Sequence, residues 1–245
     1  MAAAPDTLSK LAVLIDADNT SPRIAAGLFK EIAAIGEASV RRIYGDFSGT
    51  QLKGWADVLA THAIMPHQNF AYKSKKNASD IALVIDAMDL LHSGRFDGFC
   101  LVSSDSDFTR LAARIREQGI AIYGFGEQKT PESFRQACKR FIYTENLIAL
   151  PNAGTGSSTE TAPAKQPALA AVPLVKSALS QMEDGDGWYH LGAVGVRLQA
   201  LMSDFDPRTY GSAKLVTLIE ESGVSNGVQK GPPIGVEEGP PFRII

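Results

Sequence analysis

The sequence predicts an α/β domain built on a parallel central sheet with helices on both faces, three layers in all, followed by a second, smaller domain. Three observations carry this. Strand and helix signals alternate over the first 150 residues, which is the signature of βαβ units. The strand candidates are short continuous apolar runs, as expected for strands buried on both faces of a parallel sheet. The composition then breaks at residues 151–168 (PNAGTGSSTETAPAKQPA), a Gly-, Ser-, Thr-, Pro- and Ala-rich stretch that reads as a flexible linker. The expected boundaries are 8–148 for the first domain, 149–168 for the linker and 169–245 for the second domain.

Residues 11–15 (LAVLI) form the first strand candidate, ending in Asp16-Ala17-Asp18-Asn19-Thr20. Ser21 and Pro22 suit an N-cap and first helical position. Ile24, Leu28, Ile32 and Ile35 recur at helical spacing until Gly36 stops the helix. Residues 39–44 read as a second strand. Residues 52–61 read as a helix, and 63–65 as a brief strand closed by Pro66. Ile81, Val84, Ile85, Met88 and Leu91 mark a helix opening near Ser79-Asp80. Residues 98–102 give a further strand, followed by Ser103-Ser104-Asp105-Ser106-Asp107. A helix around Leu111 and Ile115 ends at Gln118-Gly119. Residues 120–125 read as a strand, 131–139 as a helix and 141–143 as an edge strand. In the second domain, helices are expected around Leu174 to Leu179 and over 210–221. The Gly/Pro-rich tail reads as a loose β-hairpin or partly disordered chain.

Bulk properties narrow the function classes. No apolar run reaches the ~20 residues that a membrane helix needs, and the N-terminus has no basic region followed by an apolar core, so no membrane partner is expected. The two cysteines form no CxxC motif, and Cys100 lies inside an apolar strand, so a reducing, cytoplasmic setting is expected. Up to residue 150 there are 17 Lys and Arg against 17 Asp and Glu, and 7 against 10 thereafter. Neither part has the basic excess of a typical nucleic-acid binder, so any contact with nucleic acid must come from a local patch.

Ligands bind beyond the carboxyl ends of parallel strands, and two acidic clusters fall there. Asp16 and Asp18 follow the first strand, Asp105 and Asp107 the strand at 98–102, and Asp80 opens a helix directly after a basic loop. If the two strands are neighbours, these side chains converge. Ionised carboxylates so placed raise one another's pKa, and a hard cation relieves the repulsion. Mg²⁺ or Mn²⁺ suits oxygen ligands and retains several waters. Such a site suits phosphodiester hydrolysis. Asp16 is the expected central ligand, with Asp105 and Asp107 as co-ligands. Asp80 would hold a metal or orient the nucleophilic water, and Asn19 would position a ligand or the scissile phosphate. Ser103 and Ser104 would contact the cluster or the substrate. Each of these residues, taken singly, can equally cap a following helix; Asp107 is an obvious N-cap candidate and Asp18 a turn-former. Asp86 and Asp89 are expected to be solvated. Lys73, Lys75 and Lys76 would neutralise substrate phosphates and Phe70 and Tyr72 would stack on unpaired bases, or the segment is a solvated loop with one anchoring aromatic; the residues alone leave both open. Trp55 and Trp188 read as packing residues.

Residues 11–19 (LAVLIDADN), 72–80 (YKSKKNASD) and 101–108 (LVSSDSDF) together resemble the NYN domain, in its limkain-like and LabA-like branch within the PIN-like nuclease superfamily. The resemblance implies a PIN-like three-layer fold and an Mg²⁺- or Mn²⁺-dependent ribonuclease acting on RNA. It implies an acidic set of Asp16, Asp80, Asp105 and Asp107, with Asn19 as polar companion. Residues 186–192 (DGWYHLG) and 204–211 (DFDPRTYG) resemble the OST-HTH or LOTUS domain, which implies a small winged helix that binds RNA or a protein partner. The GPP repeats of the tail depart from the usual ending of that domain's wing. Two other readings compete. Asp16 to Thr20 also fits the DxDx[TV] motif of haloacid-dehalogenase-like phosphatases, in which Asp16 would be a covalent nucleophile. A non-catalytic RNA-binding protein is the other.

Overall fold

The structure, a computed structural model, describes residues 8–69, 78–148, 165–182, 188–223, 229–230 and 241–243. The chain divides into two units, 1–152 and 153–245. Residues 149–164, most of the expected linker, lie outside the described residues, as do Phe70, Tyr72, Lys73, Lys75 and Lys76.

In the first unit six parallel strands form one sheet in the order β3-β2-β1-β4-β5-β6. They are β1 (Lys10–Asp16), β2 (Glu37–Gly45), β3 (Met65–Gln68), β4 (Gly98–Val102), β5 (Ala121–Gly126) and β6 (Arg140–Tyr143). Between them run α1 (Ala25–Ala33), α2 (Lys53–Ala56), α3 (Ala78–His92), α4 (Thr109–Glu117) and α5 (Glu132–Ala137). The apolar run of β1 is buried on both faces, and the pleat sorts it. Leu11, Val13 and Ile15 pack with Ile24, Leu28 and Ile32 around α1 and with Trp55 of α2. Ala12 and Leu14 pack with Leu83 of α3, Leu111 and Ile115 of α4 and Phe134 of α5. The result is the expected three layers, with a core on each face of the sheet.

Two elements differ from the sequence reading. The expected helix at 52–61 is regular only over Lys53–Ala56. Beyond it, a run of irregular turns ends at Ala63, whose φ is 50°. Burial of Leu52, Trp55 and Ile64 in one cluster fixes this path against the local helical preference. Pro66 does not close the strand at 63–65 but lies inside β3. That strand sits at the sheet edge and pairs only with β2, so a residue without an N–H is tolerated.

Close packing fixes one glycine. A Cβ on Gly27 of α1 would stand 2.1 Å from the Leu147 carbonyl oxygen, a backbone atom that cannot swing aside. Gly27→Ala is therefore expected to destabilise the first unit by about 1–3 kcal/mol, the usual cost of overpacking. This is despite the ~1 kcal/mol by which Ala outranks Gly in a helix. Urea titration followed by circular dichroism checks it; an unchanged or raised midpoint would refute the close contact.

The second unit is a small winged helix. It contains α6 (Val172–Leu179), α7 (Leu191–Leu201) and α8 (Leu215–Glu221), with a three-stranded antiparallel sheet of β7 (Trp188–His190), β9 (Pro241–Arg243) and β8 (Gln229–Lys230). Val175, Ala178, Val194, Leu198, Phe205, Leu218 and Ile219 form its core. Gln166 N–H donates to the Thr209 carbonyl, so the end of the expected linker already packs on this unit. The DPRTYG motif forms a capped 3-10 turn. Asp206 accepts from the Arg208 N–H and pairs with its guanidinium at 2.6 Å. Gly211 (φ 88°) ends the turn, so the helix expected over 210–221 begins only at Leu215.

Candidate active site at the switch point of the sheet

The chain leaves β1 toward β2 and β3 on one side, then returns to build β4, β5 and β6 on the other. β1 and β4 are therefore the neighbours between which a doubly wound sheet opens a crevice at its carboxyl end. They pair with Ile15 opposite Val102, so the residues that follow, Asp16 and Ser103, meet side by side.

Asp16 is the last residue of β1 and is 1 % exposed. Its Oδ1 accepts the N–H groups of Asp18 (3.1 Å) and Asn19 (3.3 Å), which folds the chain into an Asx turn. Its Oδ2 accepts from Asn19 Nδ2 (2.8 Å) and Ser103 Oγ (2.7 Å). Burial raises its pKa, and the hydrogen bonds from Ser103 and Asn19 work against that rise. Asn19 is thus a direct partner of the carboxylate. Ser103 is fully buried; its hydroxyl donates to Asp16 and accepts from the Asp105 N–H at 3.0 Å. That hydroxyl therefore links the Asp16 carboxylate to the backbone of Asp105. Ser104 Oγ accepts from the Glu127 N–H at 2.8 Å, tying the end of β4 to the loop after β5.

Asp105 caps the 3-10 turn Ser106–Phe108 by accepting the Asp107 N–H at 2.9 Å. The cap is Asp105 rather than Asp107, and it leaves Asp107 exposed. Asp80 opens α3 from the other side of the crevice. Ser79, its buried neighbour, donates to Asp18 Oδ2 at 3.1 Å and joins the β1 loop to the start of α3. Asp80 is pushed up to about 6, first by desolvation and then by the charges of Asp16, Asp105, Asp18 and Asp107. Three separate stretches of chain thus bring their carboxylates within electrostatic reach of one another.

The four acids do not form a ready-made ligand shell. Among the described residues no three Asp, Glu, His or Cys side chains are close enough to share one ion. The donor set nevertheless has the chemistry of a hard-cation site: carboxylate oxygens, with the Asp80 carboxyl raised to about 6 by burial first and by the neighbouring charges second. Such a site would take few direct protein ligands, with water completing the shell, as Mg²⁺ prefers.

Thr20, Trp55 and Asp86 bear on this site through contacts that local sequence patterns do not show. Thr20 Oγ1 donates to the Asp16 carbonyl, and Trp55 Nε1 donates to the Thr20 carbonyl at 3.1 Å, so a core tryptophan holds the loop after β1. Asp86, expected to be solvated, is half-buried. It accepts from Tyr44 (2.8 Å) and Arg42 (2.7 Å), with His67 at 3.3 Å, and so joins α3 to β2 and β3. A cavity of about 850 Å³ between Lys10, Glu37, Arg95 and Asp97 lies at the opposite end of the strands and contains none of the acidic set.

Fold and site together define a PIN-like α/β protein with an acidic crevice, joined to a winged helix. The NYN domain model matches residues 10–147, more than half of the chain, and the chain belongs to that family. The OST-HTH/LOTUS domain model matches residues 166–223. Among solved structures, a Vibrio parahaemolyticus protein of unknown function, VPA0982, is 18% identical. The match covers 60% of this chain and 99% of that one with a TM-score of 0.50, and it supports the fold alone. An uncharacterised Nitrosomonas europaea protein from locus NE0665 is 26% identical over 40% of this chain and 86% of that one, with a TM-score of 0.26. No curated protein matches. Among the described residues no helix is long and apolar enough to cross a membrane.

Proposed function

We propose that the first unit is a divalent-cation-dependent ribonuclease and that the second unit recruits RNA or a protein partner. The observation that carries this reading is the meeting, at the switch point of the sheet, of the acid-bearing loops after β1 and β4 with the start of α3, joined through Ser103 and Ser79. Membership of the NYN family, a branch of the PIN-like nucleases, and the OST-HTH/LOTUS match support it.

Asp16, Asp80, Asp105 and Asp107 would hold Mg²⁺ or Mn²⁺. When bound, such a cation supplies Lewis acidity and a more acidic water. Asn19 and Ser103 fix the Asp16 carboxylate through Oδ2, leaving the longer contacts to Oδ1 as the ones that yield to a ligand. Asp80, ionised at neutral pH, would hold the cation or orient the nucleophilic water. Lys73, Lys75 and Lys76, in the segment before α3, would neutralise the substrate's phosphates. The two buried thiols, Cys100 and Cys138, suit a reducing, cytoplasmic compartment.

The phosphatase reading needs Asp16 as an attacking nucleophile. An acyl-phosphate trapped on Asp16, or phosphate release from small monoesters without RNA cleavage, would favour it. The decisive assay is cleavage of labelled single-stranded and structured RNA with Mg²⁺, Mn²⁺ or chelator. Metal-dependent cleavage by the parent chain is expected. RNA binding without cleavage under any of these conditions would favour a non-catalytic RNA-binding protein.

Asp80 gives a test that needs no substrate. In the metal-free protein its folded pKa of about 6 lies above the ordinary value of 3.8. Between those values the folded state binds more protons than the unfolded one, so stability falls as pH rises from about 4 to about 6 and levels off above. Asp80→Asn is expected to raise the melting temperature near pH 7 and leave it unchanged near pH 4. Added Mg²⁺ should stabilise the parent more near pH 7 than near pH 4. Melting curves that are parallel in parent and variant across this range would contradict the raised pKa of Asp80.

A further inference from the structure

The crevice has a second wall that no motif marked. A cleft of about 620 Å³ runs from Asp18 and Asn19 past Ser104 and Asp105 to Glu127 and Lys129, in the loop between β5 and α5. Asp18 and Asp105 stand on the β1 and β4 loops, and Glu127 stands beside Lys129 on the opposite wall. Lys129 is the one cation among its lining residues. Lys129 Nζ pairs with Glu127 Oε2 at 2.7 Å, and the lysine side chain is 74% exposed. The loop beneath the pair is anchored. The Glu127 N–H donates to Ser104 Oγ, the Gln128 N–H donates to Glu145 Oε1 at 2.9 Å, and Thr130 is buried with its N–H on the Glu127 carbonyl. A pinned backbone therefore presents one lysine across the cleft from Asp18 and Asp105. An exposed pair such as Lys129–Glu127 contributes little to stability, so the lysine is free to exchange its carboxylate for another anion.

With one exchangeable lysine facing Asp18 and Asp105, and no aromatic platform among its lining residues, the cleft suits a sugar–phosphate chain better than a base. We infer that Lys129 is the phosphate-binding residue of a backbone subsite for single-stranded RNA, and that Glu127 is the counter-ion it gives up when the strand enters. This inference rests on the ribonuclease reading for the identity of the strand, but not for the existence of the subsite. Because hydroxyl and amide groups line the remainder, the subsite reads the backbone and tolerates sequence.

The test uses the full chain carrying Asp16→Asn, so that RNA stays intact, and a short single-stranded oligoribonucleotide containing photoreactive 4-thiouridine. Crosslinks are expected in the peptides spanning 104–106 and 127–131. Lys129→Ala should cut that crosslink yield about tenfold and lower the slope of log Kd against log salt by about 0.7, the release of counter-ions from one single-strand phosphate contact. Lys129→Arg should restore both, and Glu127→Gln should raise the yield. Uridine-rich and adenosine-rich strands should crosslink within about threefold of each other, since no stacking platform discriminates them. Unchanged crosslinking in Lys129→Ala, or crosslinks confined to residues beyond 152, would overturn the subsite. A subsite that crosslinks as expected in a chain whose parent never cleaves RNA would instead remove the catalytic reading and leave this one standing. Lys129 is exposed, so melting curves of its variants should match the parent.

Discussion

Replacing Asp16 with Asn is expected to lower metal-dependent RNA cleavage by roughly a hundredfold or more while the chain stays folded. The separation of the two effects follows from the contacts. An amide nitrogen standing where Oδ2 now lies would face Ser103 Oγ, a hydroxyl that can turn to accept, and the Asn19 side-chain amide, which can flip to present its oxygen. The amide oxygen would keep the Asp18 and Asn19 N–H groups. The variant also no longer buries a charge, so its net stability change should stay within about 1 kcal/mol. Asp16→Ala lacks this compensation: it leaves two backbone N–H groups and a buried hydroxyl without their acceptor and should cost more stability. Removing one negative charge beside Asp80 should also lower that residue's pKa, shifting the fall in stability with pH to lower pH. Full cleavage by Asp16→Asn, measured on the same labelled RNA, would end the assignment of Asp16 as the centre of the site.

The positions of the acids were legible in the sequence because each follows or opens a regular element. A buried parallel strand announces itself as an apolar run, and the residue that ends it sits at the ligand-binding edge of the sheet. Whether the two acidic ends would meet depended on β1 and β4 being adjacent. That adjacency depends on which way the chain crosses over, a long-range property that no local pattern carries. The supporting residues escaped notice for the same reason. Ser79 matters because α3 starts beside the β1 loop, and Asp86 because α3 packs over β2. Glu127 and Lys129 matter because the loop after β5 reaches Ser104. In sequence they are an ordinary serine before an acid, a solvated helical aspartate and a surface loop.

The departures in local structure have a common cause. In the segments 52–64 and 65–68 the backbone follows the burial of a few side chains and the single open side of an edge strand, not its own propensity. In the second unit, Gly211 divides what reads as one helix, because a left-handed residue costs glycine little and ends the turn that Asp206 caps. Propensity and spacing located the elements; tertiary packing set where they stop.

Trp55 links that packing to the site. It is 1 % exposed within the core on the α1 face, and its indole N–H holds the carbonyl of Thr20, whose hydroxyl in turn bonds the carbonyl of Asp16. Trp55→Ala should cost about 3–5 kcal/mol, because the cavity left by so large a side chain cannot close. At the usual scaling for a unit of this size, the melting temperature of the first unit should fall by about 10 °C. Trp55→Phe keeps most of the buried ring and loses the hydrogen bond, so it should cost only about 1–2 kcal/mol. If the indole N–H positions the loop, however, Trp55→Phe should lower cleavage more than its small stability loss accounts for, since a shift of about 1 Å at a reacting group can cost a hundredfold in rate. Calorimetry of the full chain separates the two units' transitions, and cleavage measured well below both separates rate from unfolding. A Trp55→Phe enzyme as active as the parent would show that the tryptophan serves the core alone. A Trp55→Ala chain melting within a few degrees of the parent would mean that this core is less closely packed than its buried side chains indicate.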